Sequence, residues 1–305
     1  MTRVLSILTS NRKTGFTGQA FWAAVAGMRK EKVEVDEVWL PQYDLRPCTS
    51  CFACIRDEEH RCVQTDDMGQ MGEGALMQKV KTANAIFLAD PVYCWSNTAR
   101  SQLFFERLYP FMWTGTLQGI PFGSVSCAGN QGMMHEASRQ FCKLAYTYQF
   151  EWIGGLDIHR ADLENKLKSC EYLGRQIAQA AIRVEQDGPI KLNHQELTHA
   201  YMAHKWDPVY AYIYNLTQGT FDWSKSLPYL ALSENRFQDP EAIELLEVVC
   251  DKLKDMIRAW NEQDLNTCTF IVNELSAAWT GATWKEFLEK KIIGAGKPSA
   301  YRPAE

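Results

Sequence analysis

Four of the chain's ten cysteines fall within fifteen positions, CTSCFACIRDEEHRC, as Cys48, Cys51, Cys54 and Cys62. Thiols this dense serve three chemistries: disulfides, a zinc site or an iron–sulfur cluster. Zinc is usually held by paired Cys-x2-Cys units, or by cysteine–histidine pairs, with a longer spacer between them. Here three cysteines come at i, i+3 and i+6 and a fourth eight residues on, a wrap short enough for one loop to enclose a compact cluster. His60 is an alternative ligand by type, but beside Asp57, Glu58 and Glu59 it suits a solvated loop. Zinc and unligated thiols remain open on spacing alone.

Three further segments have the residue types of a binding site. TSNRKTGFT lies between an apolar run and a helical pattern, where Ser10, Arg12, Thr17 and the backbone around Gly15 and Phe16 can donate to a phosphate. It lacks both the Walker lysine–serine pair and G-x-G-x-x-G, which argues against ATP and a dinucleotide fold. PVYCWSNTARSQ offers Pro91, Val92, Tyr93, Cys94, Trp95 and Ser96, a flat apolar slot with backbone donors that suits an isoalloxazine ring. CAGNQG offers Ala128, Gly129, Asn130 and Gly132 to the other ring edge, its glycines permitting close backbone approach.

These segments need a scaffold that brings them together. The 305 residues are long for one ordinary domain and comfortable for two, and with 46% hydrophobic and 23% charged they suffice for a sizeable core. A net charge of −5 gives no basic excess for nucleic acid. No run of 18 apolar residues is present to span a membrane. The start, MTRVLSILTSNRKTG, has no cleavable signal pattern, so the expected compartment is the reducing cytoplasm, where disulfides are rare. Strand patterns at RVLSIL, VEVDEVWLP, ANAIFLADPVY, IPFGSVSCAG and FEWIGGLDI alternate with helical ones, the third helix of the series being SNTARSQLFFERLYPFM capped at Ser96 and Asn97. Five strands alternating with helices predict a parallel sheet covered on both faces, with ligands beyond the strands' carboxyl ends.

Gly188 and Pro189 interrupt the last helix and divide the chain into residues 1–185 and 186–305. The second part is expected to be mainly helical, its best-defined element beginning at Pro240. His194, His199 and His204 come at intervals of five, the wrong spacing for ligands on one helix face. Trp206, Tyr210, Tyr212, Tyr214, Trp223 and Tyr229 crowd into 24 positions and suit a substrate cap or an oligomer interface.

The order of S-x-R-x-x-G-x-T loop, C-x2-C-x2-C-x7-C, DDM and PVY-x-x-S resembles the iron–sulfur flavoproteins of the NADPH-dependent FMN reductase group over residues 1–185. That resemblance implies a flavodoxin-like α/β fold and a [4Fe–4S] cluster on Cys48, Cys51, Cys54 and Cys62. It further implies FMN phosphate at Ser10, Arg12 and Thr17, the flavin near Pro91 to Ser96, and a dimer or tetramer with the cluster of one subunit near a neighbour's flavin. The chain departs from the family in Thr9 for a common loop glycine, Phe16 for asparagine, and Cys94–Trp95 where tryptophan often follows PVY. It departs from bacterial ferredoxin runs in having no proline after Cys62. The expected protein is an FMN- and cluster-dependent oxidoreductase acting on a small organic substrate, with NAD(P)H or ferredoxin as the redox carrier. Its alternatives are a general electron-transfer flavoprotein or flavin reductase, and a zinc-containing or redox-sensing binding protein.

Overall fold

Two strands buried along their whole length fill the middle of a parallel sheet. The computed structural model describes residues 1–129, 133–191 and 193–292. Strands β3 (Ala85–Pro91) and β4 (Pro121–Ala128) are buried at every position, as strands covered on both faces must be. β1 (Arg3–Leu8) is buried from Val4 onward, while β2 (Glu34–Trp39) and β5 (Glu151–His159) form the less buried edges. All pairings are parallel in the order β2-β1-β3-β4-β5, the flavodoxin-like arrangement.

Helices α1 (Phe16–Lys30) and α7 (Leu163–Asp187) cover one face, burying Phe21, Val25 and Ile177 against Val4, Phe87 and Val125. Their axes approach through glycine. A Cβ on Gly27 would lie 2.0 Å from the Glu171 carbonyl oxygen, and one on Gly174 would lie 2.0 Å from that of Ala24. Helices α4 (Ala99–Arg107) and α6 (Met134–Tyr148) bring an aromatic cluster to the other face. In it the Phe105 and Phe122 rings meet edge to face at 5.7 Å, and Phe122 stacks on Phe150 at 5.3 Å. The short helices α2 (Ala53–Arg56), α3 (Ala75–Thr82) and α5 (Tyr109–Thr114) complete this unit, residues 1–191.

One helix differs from its sequence pattern. Ser96 and Asn97 precede α4, whose cap is Thr98, its hydroxyl accepting from the Ser101 N–H at 3.2 Å. The helix also stops at Arg107 and restarts as α5, because Pro110 has no N–H for the Glu106 carbonyl.

The second unit, residues 192–305, is helical where described. It comprises α8 (His194–Met202), α9 (Pro208–Leu216), α10 (Leu227–Ser233), α11 (Pro240–Asn261) and α12 (Leu265–Trp284). Asp207, Asp239 and Asp264 cap α9, α11 and α12, and Asn193 with Glu196 forms a capping box on α8. Several of the clustered aromatics serve this unit's own packing. The Tyr212 hydroxyl meets Ser276 Oγ at 2.6 Å, and Trp223 packs against Tyr229 and under Lys254. Tyr210 and Tyr214 stack on each other and stay exposed.

Back in the first unit, two strand ends are tied by one buried carboxylate. Asp90, fully buried near the end of β3, accepts from the Thr9 hydroxyl just past β1. It also accepts from the Thr98 N–H at 2.8 Å, the Thr98 hydroxyl at 2.6 Å and the Ser101 hydroxyl at 3.3 Å at the start of α4. Burial raises its pKa to about 6, and these donors oppose that rise. A carboxyl raised when folded holds its proton after the unfolded one has lost it, so stability should fall as pH rises from about 4 to about 6. Asp90→Asn should flatten that part of the pH–stability profile, read from urea unfolding; an unchanged slope would assign the dependence elsewhere.

Candidate functional site

The loop after β1 is shaped by backbone and one indole. Trp39 Nε1 donates to the Ser10 carbonyl at 2.7 Å, and Lys13 lies 4.5 Å over the Trp39 ring. Ser10 Oγ accepts from the Arg12 N–H at 3.2 Å, and Gly15 N–H closes the turn onto the Arg12 carbonyl at 3.3 Å. Gly18 allows the loop to fold back onto α1, since a Cβ there would lie 1.9 Å from the Lys13 carbonyl oxygen. No side chain caps α1, so its first-turn N–H groups remain available to an anion.

The loop after β3 reverses on itself. Tyr93 and Ser96 exchange backbone hydrogen bonds of 2.9 and 3.0 Å, and between them Cys94 and Trp95 have φ of 49° and 62°. Both central residues of such a reversal need the left-handed region, which Asn-Gly usually supplies. Here bulky residues accept that backbone and stay exposed, Trp95 at 61%. The Val92 N–H donates to the Cys127 carbonyl at 2.8 Å, fastening this loop to the end of β4.

These loops enclose a cleft of about 340 Å³ at the carboxyl ends of β1, β3 and β4. Ser10, Arg12, Gly15, Phe16 and Thr17 line one side, Pro91, Val92, Tyr93, Cys94 and Trp95 another, and Ala128 and Gly129 a third. Ser96 is exposed and closes the turn rather than lining the cleft. Asn130 and Gly132 lie outside the described residues. Cys127 also lines the cleft and was not expected to, because it reads as an interior strand residue. Burial pushes its thiol up despite a hydrogen bond with Thr17. The cleft joins a polar loop and open helix start to an aromatic slot, which fits a phosphate-bearing planar group such as FMN.

A second cavity, about 370 Å³, is lined by Cys48, Cys51, Cys54 and Cys62 together with Phe52, Glu106 and Tyr109. Burial, reinforced by the neighbouring Cys62, Cys48 and Cys51, raises the Cys54 thiol to about 12. Cys51 is exposed, and the Ala53 N–H lowers its thiol pKa. His60 spends Nδ1 on the Cys54 carbonyl at 2.9 Å. Among the described residues no three Cys, His, Asp or Glu side chains converge closely enough to hold one ion. The four cysteines instead line one cavity, and soft donors of that kind fit a cluster several ångströms across.

The base of this cysteine segment is closed by DDM. Asp67 accepts from the Asp44 N–H at 2.7 Å and its own N–H returns to the Asp44 carbonyl at 3.0 Å. Asp66 accepts from the N–H groups of Arg46 and Met68, at 2.9 and 3.1 Å, and pairs with the buried Arg107. Burial pushes Asp66 up, but Arg107 and those N–H groups hold it below the ordinary carboxylate range.

A family model described as NADPH-dependent FMN reductase matches residues 2–151. An iron–sulfur flavoprotein of Archaeoglobus fulgidus is 28% identical over 204 residues, 64% of this chain and 90% of that protein. Another from Methanocaldococcus jannaschii is 26% identical over 138 residues, 45% of this chain and 68% of its own length. Among solved structures, RosB with bound 8-demethyl-8-formylriboflavin-5′-phosphate aligns over 62% of this chain and 82% of its own, with a TM-score of 0.49 and 15% identity. Through its first unit, the chain belongs to the NADPH-dependent FMN reductase family, with the iron–sulfur flavoproteins as relatives.

Proposed function

We propose that this flavin-dependent oxidoreductase holds FMN in the strand-end cleft and a [4Fe–4S] cluster on Cys48, Cys51, Cys54 and Cys62, and uses them to reduce or oxidise a small organic substrate. The observation that carries this reading is that one helix serves both cavities. Thr98 and Ser101 at the start of α4 bond to Asp90 beside the cleft, while Glu106 at its far end lines the thiol cavity. Nine residues of helix are about 14 Å long. FMN exchanges electrons in pairs or singly and a cluster singly, so the two groups together couple a pair donor to one-electron carriers.

In this reading Ser10, Arg12, Thr17 and the start of α1 hold the phosphate, and Arg12 supplies its positive charge. Pro91 to Trp95 and Ala128 to Gly129 flank the flavin ring. Tyr93 and Trp95 present exposed aromatic surface where a planar substrate would enter. NAD(P)H or a ferredoxin supplies or removes electrons. The protein works in the cytoplasm as a dimer or tetramer in which one subunit's cluster lies near a neighbour's flavin. The second unit acts as a cap that confers substrate selectivity, an idea supported by its exposed Tyr210 and Tyr214.

Arg12→Ala should weaken FMN binding by roughly tenfold or more and leave riboflavin almost unaffected, because only FMN carries the phosphate. Equal losses for the two flavins in a titration of the apoprotein would remove Arg12 from the phosphate site. Cys51→Ala should lose most of the bound iron while keeping FMN, since its loop lies outside the flavin cleft. Iron analysis and visible absorption after anaerobic purification decide this, and a full cluster would exclude Cys51 as a required ligand. A chain ending at Lys191 should keep both cofactors and reduce small artificial acceptors but lose selectivity among organic substrates. Unchanged selectivity would sink the cap, and collapse to apo monomers would make the second unit an assembly element.

A further inference from the structure

A charged donor is aimed at a sulfur of the cysteine cavity. Arg107 is 2% exposed, and its Nη2 lies 3.3 Å from Cys62 Sγ. The same Nη2 donates to Asp66 Oδ1 at 2.9 Å, while Nη1 donates to Asp66 Oδ2 and, at 2.7 Å, to the Arg46 carbonyl. Every one of these contacts fixes the guanidinium plane. Asp66 is in turn fixed by the Arg46 and Met68 N–H groups on either side of the cysteine segment. The guanidinium is therefore held at the sulfur by the fold itself.

We propose that Arg107 sets the reduction potential of the cluster, donating a charge-assisted hydrogen bond to the Cys62 sulfur that favours the reduced state. The proposal rests on the cluster assignment above. Asp66 cancels the net charge of the pair but does not cancel its field, because the positive end of the pair faces the sulfur and the negative end faces the backbone of the segment base. Reduction adds one electron to the cluster and with it negative charge on the ligating sulfurs. A donor N–H and the positive end of a buried dipole both stabilise that charge, and low polarisability around a 2%-exposed group leaves the interaction poorly screened. Arginine stays protonated throughout, so no proton moves at Arg107 when the electron arrives. A purely structural Arg107 would hold the segment base together without changing this equilibrium.

The test is an anaerobic dithionite titration of the full chain carrying both cofactors, with the cluster followed by its EPR signal and the flavin by absorption. Arg107→Gln alone leaves Asp66 buried without its partner and risks misfolding. The variant compared is therefore Asp66→Asn with Arg107→Gln, which is neutral and keeps one of the two oxygens that accept from the Arg46 and Met68 N–H groups. Its cluster should be harder to reduce by of the order of tenfold, about 59 mV for one electron, with the flavin shifted less than twofold. An unchanged cluster potential overturns the proposal. Should the double variant fail to take up iron, pulsed EPR on the unmodified protein grown with guanidino-15N arginine decides. A nitrogen coupling to the reduced cluster that survives Arg56→Lys, which removes the guanidinium bonded to the Cys51 carbonyl at 2.9 Å, supports Arg107 as the donor, and its absence overturns it. If the unmodified protein itself gives no cluster signal after reconstitution with iron and sulfide, the cluster assignment fails, a result distinct from a normal cluster insensitive to Arg107.

Discussion

A carboxylate deprived of solvent must collect hydrogen-bond donors from whatever surrounds it, and Asp90 collects them from both walls of the cleft. One wall begins at Thr9 and the other at Thr98, so neither loop can move far without leaving an oxygen of Asp90 unpaired. This also accounts for threonine at the head of the first loop. Its hydroxyl reaches the carboxylate, which a glycine could not do. The cleft is thus shaped before any ligand arrives, and ordering costs on binding are correspondingly small.

A second buried charge performs the same service for the cysteine segment. Asp66 and Arg107 close its base, and Arg107 lies at the other end of the helix that Asp90 anchors. Helix α4 is consequently fixed at both termini by a buried carboxylate: at the start by a neutral-donor network and at the end by an ion pair. The contrast follows from what each must hold. Hydroxyls and an N–H suffice to join two loops, whereas a thiol-rich cavity places a positive group against its sulfur.

Much of this was legible in the sequence, for physical reasons. Continuous apolar runs and helical periodicity located the five strands and the major helices, because burial on two faces or one leaves a pattern. Cysteine spacing likewise identified the four thiols of one cavity, and the strand-end segments supplied most of the cleft. What escaped were partners distant in the chain. Asp66 and Arg107 are 41 positions apart, and nothing local marks them as a pair. Cys127 sits in an apolar strand and reads as core, and Asp90, legible as a strand end, gives no sign of its bonds to Thr9 and Thr98. The true cap, Thr98, was hidden by two other cap-forming residues just before it. Helix α12 has buried residues over most of its circumference and so lacks the periodicity that made α11 conspicuous.

The glycine contacts between α1 and α7 bear on how the chain is made. Gly27 meets Glu171, and Gly174 meets Ala24, across nearly 150 positions of sequence. Helix α1 leaves the ribosome early, but the surface it packs against is not synthesised until almost the whole first unit has emerged. The loop that leads into α1 therefore lacks its rigid backing through most of translation. The finished shape of that loop is thus reached late in the protein's biogenesis, timed by completion of a helix at the opposite end of the unit's sequence.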